Sequence, residues 1–249
     1  IATADVLVVS GLWRNELAAM APKLKFIQSI GAGTDQFDRA MLAAKGVRLA
    51  SAAGVNARAV SEHAMSLILA LARRLPEARD NQAKKVWRGM IGDLAGREDE
   101  LADKTLVVVG LGRIGGRLAQ LAKAFDMRVI GVRRDPAGGR GAADEVHALA
   151  ALPGLLPAAD FVALTCPLTP ETTNLIDAAA LDAMQPSAYL VNCARGRVVD
   201  EPALVAALRA GTIAGAGIDV TWDEPLPADS PLWDAPGAFI TPHTAGETR

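Results

Sequence analysis

The chain has 249 residues, 51% apolar and 22% charged, which argues against a disordered chain and leaves room for two modest domains or one large one. A formal charge of −2 gives no basic footprint for nucleic acid or an anionic membrane. Two cysteines, Cys166 and Cys193, lie in apolar, strand-like stretches and read as buried thiols. No histidine has a neighbour at metal-ligand spacing, so no metal is expected. The longest apolar run, 67–72, is far too short to cross a bilayer, and no signal peptide is visible. The cytoplasm is the expected compartment.

Residues 6–9 read as a buried strand and 16–20 as a short helix ended by Ala21 and Pro22. Residues 24–30 form a second strand, closed by Gly31, Ala32 and Gly33. A helix over 35–44, stopped by Gly46, leads to a third strand at 47–50. This β-α-β-α-β pattern predicts a small open parallel sheet. Asn56 stands where it would cap a long helix over 57–75, in which Ala64, Leu67, Ile68, Leu71 and Leu75 repeat at helical spacing. Pro76 is expected to interrupt it, with helicity resuming over 77–87. The glycine- and charge-rich stretch 89–103 reads as an exposed connection. The long helix is thus the expected join between a first domain, 1–56, and a second, 57–245.

From residue 105 the pattern alternates strand and helix. Strands are expected at 105–109, 128–132, 161–165, 188–192, 214–220 and 238–241. Helices are expected at 116–125, 149–156, 178–184 and 201–210. Asp200 caps the last helix, Pro202 sits harmlessly in its first turn, and Gly211 ends it. The sum is an α/β fold with about six parallel strands in a doubly wound sheet.

The stretch from Thr105 to Arg134 is strand, glycine turn, helix, strand, the context in which G-x-G-x-x-G is informative. Gly110 lets the chain leave the strand in a tight turn. Gly112 presents no side chain to a pyrophosphate, and Gly115 permits close helix–strand packing. The helix N-terminus would offer N–H groups and partial positive charge to the phosphates. At the end of the second strand, where an acid would bind the ribose hydroxyls of NAD, stand Arg133 and Arg134. A guanidinium can bind a 2′-phosphate in a fork, so the sequence predicts NADP in preference to NAD, with NAD possible.

Ligands of such sheets bind beyond the carboxyl ends of the strands. Arg195, Glu224 and His243 follow three successive predicted strands. Reduction of a carbonyl needs a proton donor, and histidine titrates in the useful range. A carboxylate beside a histidine favours its charged form and holds its ring. An arginine can grip a substrate carboxylate with two hydrogen bonds and polarise the neighbouring carbonyl. His63, on the long helix, reads as a structural histidine, and His147 and Arg197 as surface residues.

Seven stretches, LKFIQSIGAGTDQFD, NARAVSEHAMSLILALARR, VVVGLGRIGGRLAQLAKAFDMRVIG, CPLTPETTNLID, NCARGRVVDEPALVAAL, AGAGIDVTWDEPLP and ITPHTAG, run in family order over nearly the whole chain. Through them the chain resembles the D-isomer-specific 2-hydroxyacid dehydrogenases. The resemblance implies two doubly wound parallel-sheet domains, a smaller flavodoxin-like substrate domain and a Rossmann dinucleotide-binding domain, and a homodimer. It also implies a family strand upstream of Ile1 and a helix beyond Arg249, with 246–249 returning toward the first domain. Arg195 would hold the carboxylate and carbonyl of a 2-keto acid. His243 would give or take the proton, supported by Glu224. Backbone N–H groups at Ala32 and Gly33 would meet the substrate carboxylate. Arg113 and Ile114 would lie at the pyrophosphate, Cys166 and Pro167 along the adenosine, and Ala194 and Asp219 near the nicotinamide. Cys193 would join His243 and the glycine turn in contacting the cofactor.

The activity so implied is hydride transfer between NADP(H) or NAD(H) and a small 2-keto or 2-hydroxy acid, D-specific by resemblance. Members that reduce glyoxylate or hydroxypyruvate with NADPH share a basic residue at the position of the arginine pair. Two other readings share the fold: a dinucleotide-sensing corepressor, and a formate or phosphonate dehydrogenase. A corepressor would add long disordered tails and a peptide groove, and neither is legible here.

Overall fold

The computed structural model describes residues 1–248. The chain divides into two compact units, Ile1–Asn56 and Ala57–Arg249. In the first, β1 (Val6–Val9), β2 (Phe26–Ser29) and β3 (Arg48–Ser51) form a parallel sheet in that order. Trp13, Leu24, Ile27, Phe37, Leu42 and Val47 are buried together, with Trp13 stacked on Phe37 at 5.4 Å. The helix α1 (Arg39–Ala44) starts later than its periodicity suggests, because the Asp38 carboxylate accepts the Met41 N–H at 2.9 Å and sets the N-cap. The expected helix at 16–20 is a single 3-10 turn, Asn15–Ala18. The strand β1 is not buried as expected. It is an edge strand, and Val6 and Val8 are 55% and 68% exposed.

The second unit opens on α2 (Ala57–Ala72), whose face of Val60, Ala64, Leu67, Ile68 and Leu71 is buried. Asn56 precedes it without capping it, since its Oδ1 has no hydrogen-bond partner. The helix ends where Arg74 turns into the left-handed region at φ 50°. Next, α3 (Leu75–Ala83) carries Pro76 in its first turn. Pro76 therefore begins a helix instead of breaking one, at a position where its missing N–H costs nothing. Helicity ends at Ala83, short of the expected 87.

There follow β4 (Thr105–Val109), α4 (Arg113–Ala124), β5 (Arg128–Val132), β6 (Glu145–His147), α5 (Leu152–Leu155) and β7 (Phe161–Leu164). Then come α6 (Ala178–Ala183), β8 (Tyr189–Asn192), α7 (Glu201–Ala210), β9 (Gly215–Ile218) and β10 (Ala238–Ile240). All seven strands are parallel, in the order β10-β9-β8-β7-β4-β5-β6. The seventh, β6, is absent from the expected six. Its three residues include Glu145 and His147, which bond each other at 2.8 Å, so neither length nor hydrophobicity marks it. His147 is accordingly half-buried and not a free surface residue.

Residues of β4, β7 and β9 are buried along their whole length, as expected for strands covered on both faces. Each fully buried aliphatic side chain contributes roughly 1.5–3 kcal/mol. Exposed ion pairs such as Lys25–Asp5 are screened by water, so packing dominates. Both cysteines are buried free thiols. Burial pushes the Cys166 thiol up to about 11 and raises that of Cys193 further, so both stay protonated near neutral pH. Among the described residues no helix is long and apolar enough to cross a membrane.

Candidate active site

From β4 the chain leaves for β5 and β6 on one side, then returns to β7 on the other. The crevice of a doubly wound sheet lies at such a reversal, and the glycine turn stands there. Gly110 has φ 101°, and a Cβ on it would lie 2.5 Å from the Cys166 N. A Cβ on Gly115 would lie 2.3 Å from the Gly110 O, so α4 can approach β4 only without a side chain there. Gly112 differs. Its backbone is extended, at φ −92° and ψ −151°, and a Cβ on it would meet nothing within 4 Å. Neither conformation nor protein packing demands glycine at 112, which fits a ligand approaching the backbone. Arg113 and Ile114 open α4, whose N-terminus has no side-chain cap. The site therefore fits a dinucleotide's phosphates. Thr165, at the end of β7, closes the turn by donating its hydroxyl to the Gly110 O at 2.9 Å. Cys166 is buried beside it and Pro167 is exposed.

The two arginines after β5 go different ways. Arg133 is half-buried, and its Nη1 donates to the carbonyls of Gly138 and Gly139 at 3.1 Å each. Arg134 is exposed. The Glu171 carboxyl lies below its usual range chiefly through a Thr169 hydrogen bond, with the charge of Arg134 a lesser cause.

Beyond β8, β9 and β10, three neighbouring strands, lie the other candidates. His243 Nδ1 is 2.6 Å from Glu224 Oε2, and the Glu224 Oε1 accepts the Thr221 N–H at 3.2 Å. An ionised carboxylate only accepts, so Nδ1 carries the proton and Nε2 is left for exchange with a ligand. The two side chains are 48% and 38% exposed, open enough to meet one. His243 sits in the left-handed region at φ 54°. Asp219 holds that loop. Its carbonyl accepts the His243 N–H at 2.8 Å. Its carboxylate accepts the Thr241 hydroxyl at 2.6 Å and the N–H groups of Thr244 and Ala245 at 3.0 and 3.1 Å.

Arg195 follows β8, half-buried, with Cys193 and Ala194 buried before it. The Asn192 side chain ties this turn together, donating to the Arg195 O and accepting the Ala194 N–H, both at 3.0 Å. Gly196 presses the turn against the loop that bears Glu224. A Cβ there would lie 2.0 Å from the Thr221 carbonyl carbon and oxygen. Trp222 locks the same pair of loops by donating Nε1–H to the Val199 O at 2.7 Å, and the exposed Arg197 covers its ring at 5.2 Å. Gly196→Ala is expected to cost about 1–3 kcal/mol by overpacking. Urea denaturation measures it, and an unchanged midpoint would show that the loops part freely.

The structure thus brings Glu224, His243 and Asp219 into one bonded group and sets the Arg195 turn against it. Ala32 and Gly33 form a half-buried bend after β2 in the first unit. Thr241, Thr221 and Gly196 are the members that reading the sequence misses. Thr241 lies inside the ITPHTAG stretch, but its bonds to Asp219 and His63 have no local signature.

Residues 65–245 match the model of the D-isomer specific 2-hydroxyacid dehydrogenase, NAD binding domain. The chain belongs to this family. D-3-phosphoglycerate dehydrogenase of Synechocystis is 38% identical over 230 residues, 91% of this chain and 40% of that one. Glyoxylate/hydroxypyruvate reductase B of Pectobacterium carotovorum is 39% identical over 253 residues, all of this chain and 78% of that one. The family member thus spans well under half of the first relative and over three quarters of the second. Among solved structures, the NADPH-dependent glyoxylate/hydroxypyruvate reductase of Sinorhizobium meliloti, with NADP and malonate, superposes with a TM-score of 0.85. It is 31% identical, over 98% of this chain and 75% of that one.

Proposed function

We propose that this chain carries an NADP-preferring D-2-hydroxyacid dehydrogenase activity, running as a 2-keto acid reductase. The carrying observation is the His243–Glu224 contact at 2.6 Å, in the same sheet as the glycine turn. Arg195 binds the substrate carboxylate and polarises the 2-keto group. His243 gives its Nε2 proton to the oxygen of the reduced carbonyl and takes it back in oxidation. Glu224 fixes the ring and stabilises its charged form. In the first unit, the bend at Ala32 and Gly33 offers backbone N–H groups to a carboxylate. Gly110, Gly112, Arg113, Ile114 and Gly115 hold the pyrophosphate, with Cys166 and Pro167 along the adenosine and Cys193 and Ala194 toward the nicotinamide. Bound there, the cofactor supplies the hydride to C2. Two free buried thiols support a reducing compartment, the cytoplasm.

The test is a panel of initial rates with NADPH and NADH on glyoxylate, hydroxypyruvate and pyruvate, and on 3-phosphoglycerate in the oxidative direction. Turnover of a 2-keto acid with NADPH favoured is expected. No turnover of any of these would sink the reading.

The homodimer belongs to the same proposal. Val86, Trp87, Met90 and Leu94 follow α3 and are 52%, 98%, 94% and 74% exposed. So many bare apolar side chains in one short segment suit a partner surface. Light scattering should give twice the chain mass, and Trp87→Glu should halve it. A monomeric unmodified protein would refute the assignment.

A further inference from the structure

We propose that His63 is a positioning residue that holds the His243 loop from α2, acting through Thr241 and Asp219. The proposal rests on the reading of His243 as the proton donor.

The loop needs holding. It follows β10, a three-residue strand at the edge of the sheet, so the sheet braces it from one side only. It also keeps His243, a residue with a Cβ, in the left-handed region at φ 54°, which non-glycine residues seldom adopt. Such a conformation persists only where its surroundings over-determine it. Asp219 supplies most of that restraint, accepting bonds from Thr241, Thr244 and Ala245 through its carboxylate and from His243 through its carbonyl. The Asp219 side chain is 1% exposed, so its charge must be satisfied by neighbours.

His63 completes the group. Its Nε2 lies 2.9 Å from Thr241 Oγ1 and 3.3 Å from Asp219 Oδ1. A count of protons fixes its state. The Thr241 hydroxyl has one proton, and at 2.6 Å that proton points to the Asp219 carboxylate. Thr241 Oγ1 can then only accept from His63, so Nε2 bears a proton. Its N–H reaches the oxygen of Thr241 and the edge of Asp219 together. The helix that carries His63 is a firm reference. It packs on β8, β9 and α4, and a Cβ on Gly217 of β9 would already be 3.0 Å from the Leu67 Cβ. His63 thus ties the proton donor's loop to the interior of the sheet, across 178 residues of sequence.

Two readouts test this. Amide hydrogen exchange at Thr244 and Ala245 should quicken in His63→Ala and stay slow in His63→Gln, whose amide can still donate. Steady-state rates should show kcat for a 2-keto acid down roughly ten- to a hundredfold in His63→Ala, as small misplacement of a reacting group does. The Kd for NADPH, from fluorescence titration, should hold, and His63→Gln should recover most of kcat. Nitrogen NMR should show His63 protonated at Nε2. Thr241→Val should act like His63→Ala, and the double variant should be no worse than either. Unchanged exchange at Thr244 and Ala245, or an unprotonated Nε2, would overturn the proposal. So would full kcat in His63→Ala. Failure of the underlying reading looks different, since His243→Ala would then keep its activity while the exchange data still decide what His63 holds.

Discussion

Replacing His243 by alanine is expected to lower kcat for 2-keto acid reduction by about 10²–10⁴-fold, the usual worth of a positioned proton donor. The Kd for NADPH should stay near that of the unmodified protein. His243 occupies φ 54°, a region histidine and asparagine adopt more readily than alanine, so the alanine variant is read beside an asparagine one. The loop's bonds to Asp219 run through the main chain of 243, 244 and 245 and survive the substitution. What disappears is the imidazole and its contact with Glu224. His243→Asn is the control, since asparagine tolerates the left-handed region but titrates nowhere useful. It should be as inactive as alanine. Glu224→Gln should fall between, because an amide can still hold Nδ1 through its oxygen but cannot stabilise a charged ring. Stopped-flow binding of NADPH separates these effects from loss of fold. Full turnover by His243→Ala would remove this residue from the chemistry.

Much of the second unit is legible because its signals are local. A strand buried on both faces, such as β4, is an unbroken aliphatic run. The glycine turn is read from three positions whose reasons the fold separates: conformation and packing at Gly110, packing at Gly115 and neither at Gly112. Local signals fail where two rules compete. Pro76 looks like a breaker until Arg74 adopts the left-handed turn that makes it an opener. Asn56 has the right residue type for a cap but makes no such bond. The strand β6 carries a charge pair where hydrophobicity would have marked it. Non-local facts were out of reach altogether. His63 on its helix looks like any half-buried histidine, and nothing near it in sequence points to Thr241 or Asp219.

The arginine pair carries the second large effect, and the structure changes how it should be tested. As sequence, Arg133 and Arg134 are equivalent candidates for a 2′-phosphate. In the fold, the Arg133 guanidinium is engaged by the Gly138 and Gly139 carbonyls, and a Cβ on Gly138 would lie 2.7 Å from its Nη2. Arg134 is exposed, near enough to Glu171 to help hold that carboxyl ionised. A dianionic phosphate is a stronger partner for Arg134 than one solvated carboxylate. Arg134→Asp should therefore lower kcat/KM for NADPH by about 10–150-fold, the loss of roughly 1.5–3 kcal/mol in charged hydrogen bonds. NADH lacks that phosphate, so its kcat/KM should hold. Arg133→Ala should behave otherwise. It frees the loop over 135–141 and should weaken both cofactors together. The measurement is the ratio of kcat/KM for NADPH to that for NADH in the two variants. A fall in the ratio for Arg134→Asp alone assigns the phosphate to Arg134. Equal losses with both cofactors in Arg134→Asp would reject that contact, because a residue that reads the 2′-phosphate cannot be felt by a cofactor without one.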